Sequence, residues 1–148
     1  MLKRSIGVKI AAQRKLEHEL GIPASEVPLE KFQCLTRIVY KAPSDGDVWG
    51  EHEGISTIEW RNTYISIVDY ILFAQVDKIS VNPNPSEVGD YKFVNAEELQ
   101  ALFDDASQGK IKLTPWFRLI CNKFIWGWWK DLNNKVAFSY DPQIHPLE

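Results

Sequence analysis

The chain has 148 residues, 45% hydrophobic and 25% charged, a composition ordinary for one globular domain with a buried core. Its net charge of −3 provides no basic field to recruit nucleic acid or an anionic membrane, and no apolar run approaches the length of a membrane span. Cys34 and Cys121 are too few for a disulfide framework or a clustered zinc site, so we expect a reducing compartment. The basic pair at residues 3–4 is followed by no long apolar core, so we expect no secretory signal.

The first predicted element is a helix over 8–20. Its apolar residues recur at i, i+4 and i+8 and share one face. They are Ala12, Leu16 and Leu20. Gly21 stands where a helix stop is expected. On another face Lys15 and Glu19 are four positions apart, a spacing that predicts a surface ion pair.

The middle of the chain predicts a sheet. A strand is expected over 32–41, which is rich in β-branched and aromatic residues. Another is expected over 69–76, where an apolar run is typical of a sheet covered on both faces. The segment 54–67 between them predicts a hairpin, and the Asn-Pro-Asn-Pro sequence within 80–89 predicts a rigid loop.

The last third of the chain predicts two helices. A short strand at 91–94 precedes a helix that begins with Asn95 and Glu98 as a capping box and is broken by Gly109. Thr114, followed by proline, caps the last helix. The apolar stripe of that helix consists of Phe117, Ile120, Cys121, Phe124 and Trp128.

The order of these elements predicts an α/β fold with a mixed sheet and helices on both sides. We divide the chain into one domain over 1–132 and an irregular tail over 133–148. The first helix has no strand before it, and three or four strands are few for two helical layers. We therefore expect a partial domain whose N-terminal strands are missing.

Two carboxylates stand two residues apart in the sequence WGEHE at 49–53. In an extended backbone Glu51 and Glu53 point to one side and His52 to the other. Like charges on one face repel, so the pair needs a cation, a shared proton or open water. The pattern therefore leaves open a metal site, an acid/base pair, and two solvated glutamates on a loop.

Seven motifs together resemble type I isopentenyl-diphosphate isomerase, a branch of the Nudix fold, which is an α/β/α sandwich. They are AAQRKL at 11–16, ELGIP at 19–23, YKAPSDG at 40–46, WGEHE at 49–53, DY at 69–70, NPNP at 82–85 and TPWF at 114–117. The resemblance implies interconversion of isopentenyl and dimethylallyl diphosphate in isoprenoid biosynthesis, by protonation and deprotonation through a tertiary carbocation. It also implies Mg²⁺ and a second divalent metal, an isoprenoid diphosphate as the small-molecule partner, and a cytoplasmic or peroxisomal monomer.

The resemblance assigns the catalytic residues. Glu51 and Glu53 match two glutamates that hold a divalent metal, and Glu53 also matches the catalytic carboxylate. Tyr40 matches the tyrosine near that carboxylate. Trp116 matches the tryptophan whose ring faces the carbocation, which is a cation–π role.

Two residues of the first helix match the part of the site that binds the diphosphate. Glu19 matches a carboxylate that binds magnesium together with the substrate diphosphate, and Lys15 stands where the family has a basic residue on that diphosphate. The roles agree with the chemistry, because a metal on Glu51 and Glu53 would remove their like-charge conflict.

Two departures from the family pattern limit the expectation. Neither Cys34 nor Cys121 matches the family's catalytic cysteine, which would lie upstream of Met1 together with the metal-binding histidines. Residues 54–67 are additional directly behind Glu53, as a natural insertion or a retained intron would produce. We therefore expect this chain to be inactive by itself.

Two alternative functions remain. The first is a Nudix diphosphohydrolase, although the glutamate positions of the hydrolase box hold Lys15, His18 and Glu19, which removes two of three metal carboxylates. The second is a non-catalytic binding protein with a Nudix fold.

Overall fold

The computed structural model describes the backbone of residues 2–43 and 64–147, and the side chains of residues 6–39 and 68–147. The elements in chain order are helix α1 (Leu2–Leu20), a 3₁₀ turn (Leu29–Lys31), strands β1 (Phe32–Pro43) and β2 (Tyr64–Ala74), helices α2 (Ala96–Ser107) and α3 (Pro115–Ile120), a π-helical segment (Cys121–Ile125), helix α4 (Trp126–Asn133) and strand β3 (Ile144–Leu147).

The strands form one sheet in which β1 lies between β2 and β3. β1 and β3 are parallel, and their register runs from Arg37 opposite Ile144 to Tyr40 opposite Leu147. The helices and this sheet make an α/β fold of the class predicted from the sequence.

The chain divides into two compact units, and the first combines Met1–Leu35, Leu72–Lys112 and Phe138–Tyr140. Its core consists of buried Ile22, Val27 and Phe32. The predicted apolar face of α1 packs against this core through Ala12, Leu16 and Leu20. The face was predictable because burial of apolar area on one side is what stabilises a surface helix.

The second unit combines Thr36–Ile71, Leu113–Ala137 and Asp141–Glu148. Its core consists of buried Ile38, Ile120 and Leu147, contributed by β1, α3 and β3 respectively. Phe124 packs against this cluster, and its ring stacks on Trp128 with centroids 5.0 Å apart. The predicted apolar stripe of the last helix is thus the side that meets the core.

The predicted helix ends are confirmed where they depend on residues close together in the sequence. Asn95 accepts a hydrogen bond from the Glu98 amide, and the Glu98 carboxylate accepts one from the Asn95 amide, each 2.8 Å long. Gly109 has a φ of 74° just past the end of α2. Thr114 caps α3 by position, with proline in the first turn, but its side chain makes no capping hydrogen bond.

The strand predicted over 32–41 extends to Pro43, and two other elements begin earlier than predicted. α1 begins at Leu2 rather than at residue 8, and its early turns carry Ile6 and Ile10, which are 52% and 50% exposed. These turns escaped prediction because periodicity detects only a packed face. β2 begins at Tyr64 rather than at 69, so four residues of the segment 54–67 extend a strand. The remainder of the predicted hairpin lies outside the described residues.

Two expectations were wrong, and one held only in part. Residues 91–94 form no strand; Tyr91 and Phe93 are exposed and meet edge to face, and a strand also needs a hydrogen-bonding partner. β2 is covered on both faces only in part: Ile71 packs against one core and Leu72 against the other, but Tyr70 is 37% exposed. The last helix is not uniform, because the π-helical segment Cys121–Ile125 interrupts it. Nothing in the residue pattern predicts that wider turn.

The tail expected to be irregular contains β3. Pro146 lies within this strand, which is tolerated because β3 is an edge strand of the described sheet. The approach to β3 is held by β1: Thr36 Oγ1 donates to the Gln143 carbonyl at 3.4 Å, and the Arg37 guanidinium donates to the Pro142 carbonyl. These long-range contacts, which the local sequence does not reveal, make the tail a strand.

Candidate active site

Lys15 and Glu19 form an ion pair on the last turns of α1. The Lys15 Nζ lies 3.0 Å from the Glu19 Oε1, and both side chains are 35% exposed. This confirms the pair predicted from their i, i+4 spacing. An exposed helical pair of this kind contributes only about 0.3–0.5 kcal/mol, so its two charges exchange readily for other partners. The turn therefore offers one cation and one carboxylate side by side to a ligand that carries both signs of charge.

A distant loop fixes the turn that carries Glu19. The Asn84 amide donates to the Glu19 carbonyl and the Asn82 amide donates to the Leu20 carbonyl, both at 2.8 Å. The last carbonyls of a helix have no partner within the helix, so these bonds satisfy groups that would otherwise need water. The loop 80–89, predicted to be rigid, thus serves as the C-terminal cap of α1.

Gly21 allows that loop to approach. Its φ of 61° lies in the left-handed region, and a Cβ at this position would overlap the carbonyl oxygen of Asn82. A glycine is therefore required at this helix end for two separate reasons, backbone conformation and close contact. The helix stop predicted from the sequence is confirmed, and the contact with Asn82 is its structural cause.

Trp116 and Tyr40 belong to the second unit. Trp116 lies in the first turn of α3 and is 37% exposed, and its ring meets that of Phe117 edge to face with centroids 6.0 Å apart. One turn further along α3, Ile120 is buried in the core with Leu147. Leu147 is also the register partner of Tyr40 in β1. The backbone of Tyr40 is therefore adjacent to the strand that α3 packs against.

The predicted site residues are divided between the two units and the part of the chain that is not described. Lys15 and Glu19 lie in the first unit, whereas Tyr40 and Trp116 lie in the second. Glu51 and Glu53 lie outside the described residues. An open depression of about 480 Å³ beside Lys123 and Leu147 includes none of the predicted site residues.

Among the described residues, no group of three or more His, Cys, Asp or Glu side chains could hold a metal ion. Glu19 is the one predicted metal ligand in this part of the chain. A single carboxylate fits Mg²⁺ when the other ligands are water and phosphate oxygens, because Mg²⁺ is commonly bound in that way. Within the described residues, Glu19 could therefore give a divalent cation one carboxylate ligand, with the others from outside this group.

Sequence reasoning missed the residues that support this site. Asn82 and Asn84 were recognised as part of a motif but not as the cap of α1. Glu26 was not singled out, although its carboxylate accepts hydrogen bonds from the Ser80 amide and hydroxyl. A helix stop at Gly21 without its own polar cap was the only local sign that another segment would have to supply one.

A profile of the NUDIX domain family matches residues 5–117. The chain belongs to the Nudix family. Its first unit and much of its second therefore form a Nudix domain, and the resemblance and fold class predicted from the sequence are confirmed.

Within the Nudix family, the chain is similar to curated isopentenyl-diphosphate delta-isomerases. An isopentenyl-diphosphate delta-isomerase of Aspergillus fumigatus is 55% identical over 135 residues, 91% of this chain and 44% of the relative. The corresponding mouse protein is 45% identical over 143 residues, 97% of this chain and 56% of the relative. The isopentenyl-diphosphate delta-isomerase of Dictyostelium discoideum is 48% identical over 129 residues, which are 86% of this chain and 48% of the relative. The chain spans about half the length of these relatives.

The names of these relatives describe isomerases of isopentenyl diphosphate. In the described part of the chain, no helix combines the length and the apolar character that a bilayer crossing requires.

Proposed function

We propose that this Nudix domain belongs to an isopentenyl-diphosphate delta-isomerase, which interconverts isopentenyl and dimethylallyl diphosphate. The observation that carries the proposal is the Lys15–Glu19 pair on the capped end of α1, in a chain 55% identical to a curated isomerase. A diphosphate bound with a divalent cation presents both signs of charge, and this turn presents the complementary pair.

In the proposal Lys15 binds the diphosphate through its ammonium group, and Glu19 is a ligand of the accompanying Mg²⁺. A bound Mg²⁺ supplies positive charge that neutralises the diphosphate oxygens. The weak Lys15–Glu19 contact favours this exchange, because each partner gains a stronger charge-assisted interaction than the one it gives up.

The reaction itself is assigned to four other residues. Glu53 is the acid/base carboxylate and, with Glu51, a ligand of a second divalent metal. Tyr40 orients the reacting carboxylate by hydrogen bonding. Trp116 stabilises the carbocation through its ring, a role that its 37% exposure leaves room for. An alkene is a weak base, so its protonation needs an acid in a water-poor site with electrostatic support for the cation that forms.

We further propose the partners, the oligomeric state and the compartment of the protein. It acts on a small isoprenoid diphosphate, without nucleic-acid or membrane partners, as a monomer in the cytoplasm or peroxisome. The competing function within the family is hydrolysis of a diphosphate. Lys15 argues against it, because an ammonium group occupies a position where the hydrolase box needs a metal-binding glutamate, and His18 is solvent-exposed on the same helix.

The test follows ¹³C-labelled isopentenyl diphosphate by NMR in the presence of Mg²⁺. It uses the purified chain and a chimera completed with the remaining sequence of the Aspergillus fumigatus relative, both with and without residues 54–67. We expect dimethylallyl diphosphate to form at least in the chimera without residues 54–67, which is the repaired chimera. A folded chimera that releases phosphate from nucleoside diphosphate compounds and leaves isopentenyl diphosphate unchanged would establish the hydrolase instead.

A further inference from the structure

The C-terminal end of α1 is held by four backbone hydrogen bonds. Two are local: the Gly21 amide donates to the Glu17 carbonyl at 3.0 Å, and the Ile22 amide donates to the Leu16 carbonyl at 3.2 Å. Two come from the distant loop, from Asn82 and Asn84 to the last two residues of the helix. The position of Glu19 is therefore coupled to the position of the loop.

The loop is in turn anchored by one carboxylate. Glu26 accepts hydrogen bonds from both the amide and the hydroxyl of Ser80, the hydroxyl bond being 2.8 Å long. Ser80 lies two residues before Asn82, so this anchor fixes the start of the segment that caps α1. The two Ser80 bonds, with a smaller contribution from Lys78, hold the pKa of the Glu26 carboxyl below its ordinary value, so the anchor is charged at neutral pH.

A second contact fixes the other side of the same region. The Gln13 side chain donates to the carbonyls of Ala24 and Val27, at 3.2 and 2.9 Å. Glu26 lies between these two residues, so its backbone is held against the middle of α1. The turn that bears Glu26 therefore joins α1 to the loop at a fixed separation.

We propose that Glu26 and Ser80 are positioning residues that hold the Glu19 turn in the geometry that binds a diphosphate with its divalent cation. The inference rests on the proposed function for the identity of that ligand. Neither residue touches the ligand. Their effect is to order the turn before binding, so that binding does not spend free energy on ordering it.

The test measures binding of inorganic diphosphate to the purified chain by calorimetry in the presence of Mg²⁺. Glu26→Ala should weaken binding at least fivefold, because the anchor of the loop is lost. Glu26→Gln keeps an acceptor for the Ser80 amide and should bind within twofold of the unaltered chain. Glu30→Ala, which removes a nearby exposed carboxylate, is the matched control and should leave binding unchanged.

Amide hydrogen exchange provides the second measurement. Glu26→Ala should accelerate exchange at Asn82 and Asn84 at least tenfold relative to Glu30→Ala, since these amides donate to the α1 carbonyls. Exchange within α2 should be the same in both variants, which shows that the first unit remains folded.

Three results overturn the inference. They are a chain that does not bind diphosphate, a Glu26→Ala variant that melts lower but binds equally, and a Glu26→Gln variant as weak as Glu26→Ala. Failure of the proposed function is separate, since it concerns formation of dimethylallyl diphosphate. If the chain binds diphosphate through the Glu26-anchored turn but the folded chimera without residues 54–67 forms no dimethylallyl diphosphate, the positioning role is supported and the isomerase is refuted.

Discussion

The Asn84 amide donates to the Glu19 carbonyl at 2.8 Å, which joins a proline-bounded loop to the helix turn that carries a predicted ligand. The two residues are far apart in the sequence, and neither has a side chain in this bond. Together with the bond from the Asn82 amide to the Leu20 carbonyl, it gives the last two carbonyls of α1 partners outside the helix.

Gly21→Ala should destabilise the chain by about 1–3 kcal/mol, because it strains a left-handed backbone and drives a Cβ into the Asn82 carbonyl. Gly109→Ala separates the two effects, since Gly109 has a φ of 74° but open space around it. It should cost less than Gly21→Ala. Gly7→Ala, within α1 and without a close neighbour, should be neutral or stabilising. Urea unfolding measures the free energy of unfolding of all three variants. Equal losses of this free energy in Gly21→Ala and Gly109→Ala would contradict the close contact between Gly21 and the Asn82 carbonyl.

Leu147→Ala should cost about 2–4 kcal/mol, since Leu147 is only 7% exposed and closes the core formed with Ile38 and Ile120. Ile144→Ala is the matched control in the same strand, because Ile144 is 45% exposed. It should change the free energy of unfolding by less than about 1 kcal/mol. If both variants unfolded at the same urea concentration, β3 would not be packed as described.

The local chemistry of the chain could be predicted well and its long-range pairing could not. The capping box at Asn95 and Glu98 and the Lys15–Glu19 pair each depend on residues within four positions, so spacing was sufficient. Residues 91–94 and β3 show the converse. Only a hydrogen-bonding partner elsewhere in the chain decides which of the two segments is a strand. The predicted roles of the site residues stay predictions, because they came from resemblance and not from spacing.

The thiol of Cys121 should be protected and pH-sensitive. It is fully buried, and burial raises its pKa to about 11 from an ordinary value of 9.0. The folded state therefore holds the proton more tightly than the unfolded state, so the stability linked to this thiol is present below pH 9 and is lost as pH rises towards 11. The loss is at most about 1.4 kcal/mol per pH unit.

Two measurements test the Cys121 prediction. The difference in unfolding free energy between the chain and Cys121→Ala should shrink between pH 9 and 11, whereas a difference independent of pH would contradict it. At pH 8 the folded chain and Cys121→Ala should react with the same amount of Ellman's reagent, because the buried Cys121 thiol does not react. Cys34→Ala, which removes a half-buried thiol, is the control for both measurements.

In the chimera without residues 54–67, Trp116→Phe should retain part of the isomerisation rate, and Trp116→Ala should lose more of it. The cation–π interaction of a desolvated indole is worth roughly 2 kcal/mol, which corresponds to about a 30-fold change in kcat. Because Trp116 is 37% exposed, neither change should unfold the protein, and circular dichroism checks this. Phe117→Leu, at the neighbouring ring, is the matched control. An alanine variant as fast as the phenylalanine variant would remove the ring from the mechanism.

Glu53 is the proposed acid/base carboxylate, and its role is measured by comparing the chimera without residues 54–67 with its Glu53→Gln variant. The assay monitors dimethylallyl diphosphate by NMR, with Mg²⁺ present and with chelator. We expect Mg²⁺-dependent product from the chimera and almost none from Glu53→Gln, because the substitution removes a proposed metal ligand and the proposed proton-transfer group together. Equal product from both proteins, or a folded chimera that forms none, would contradict this expectation.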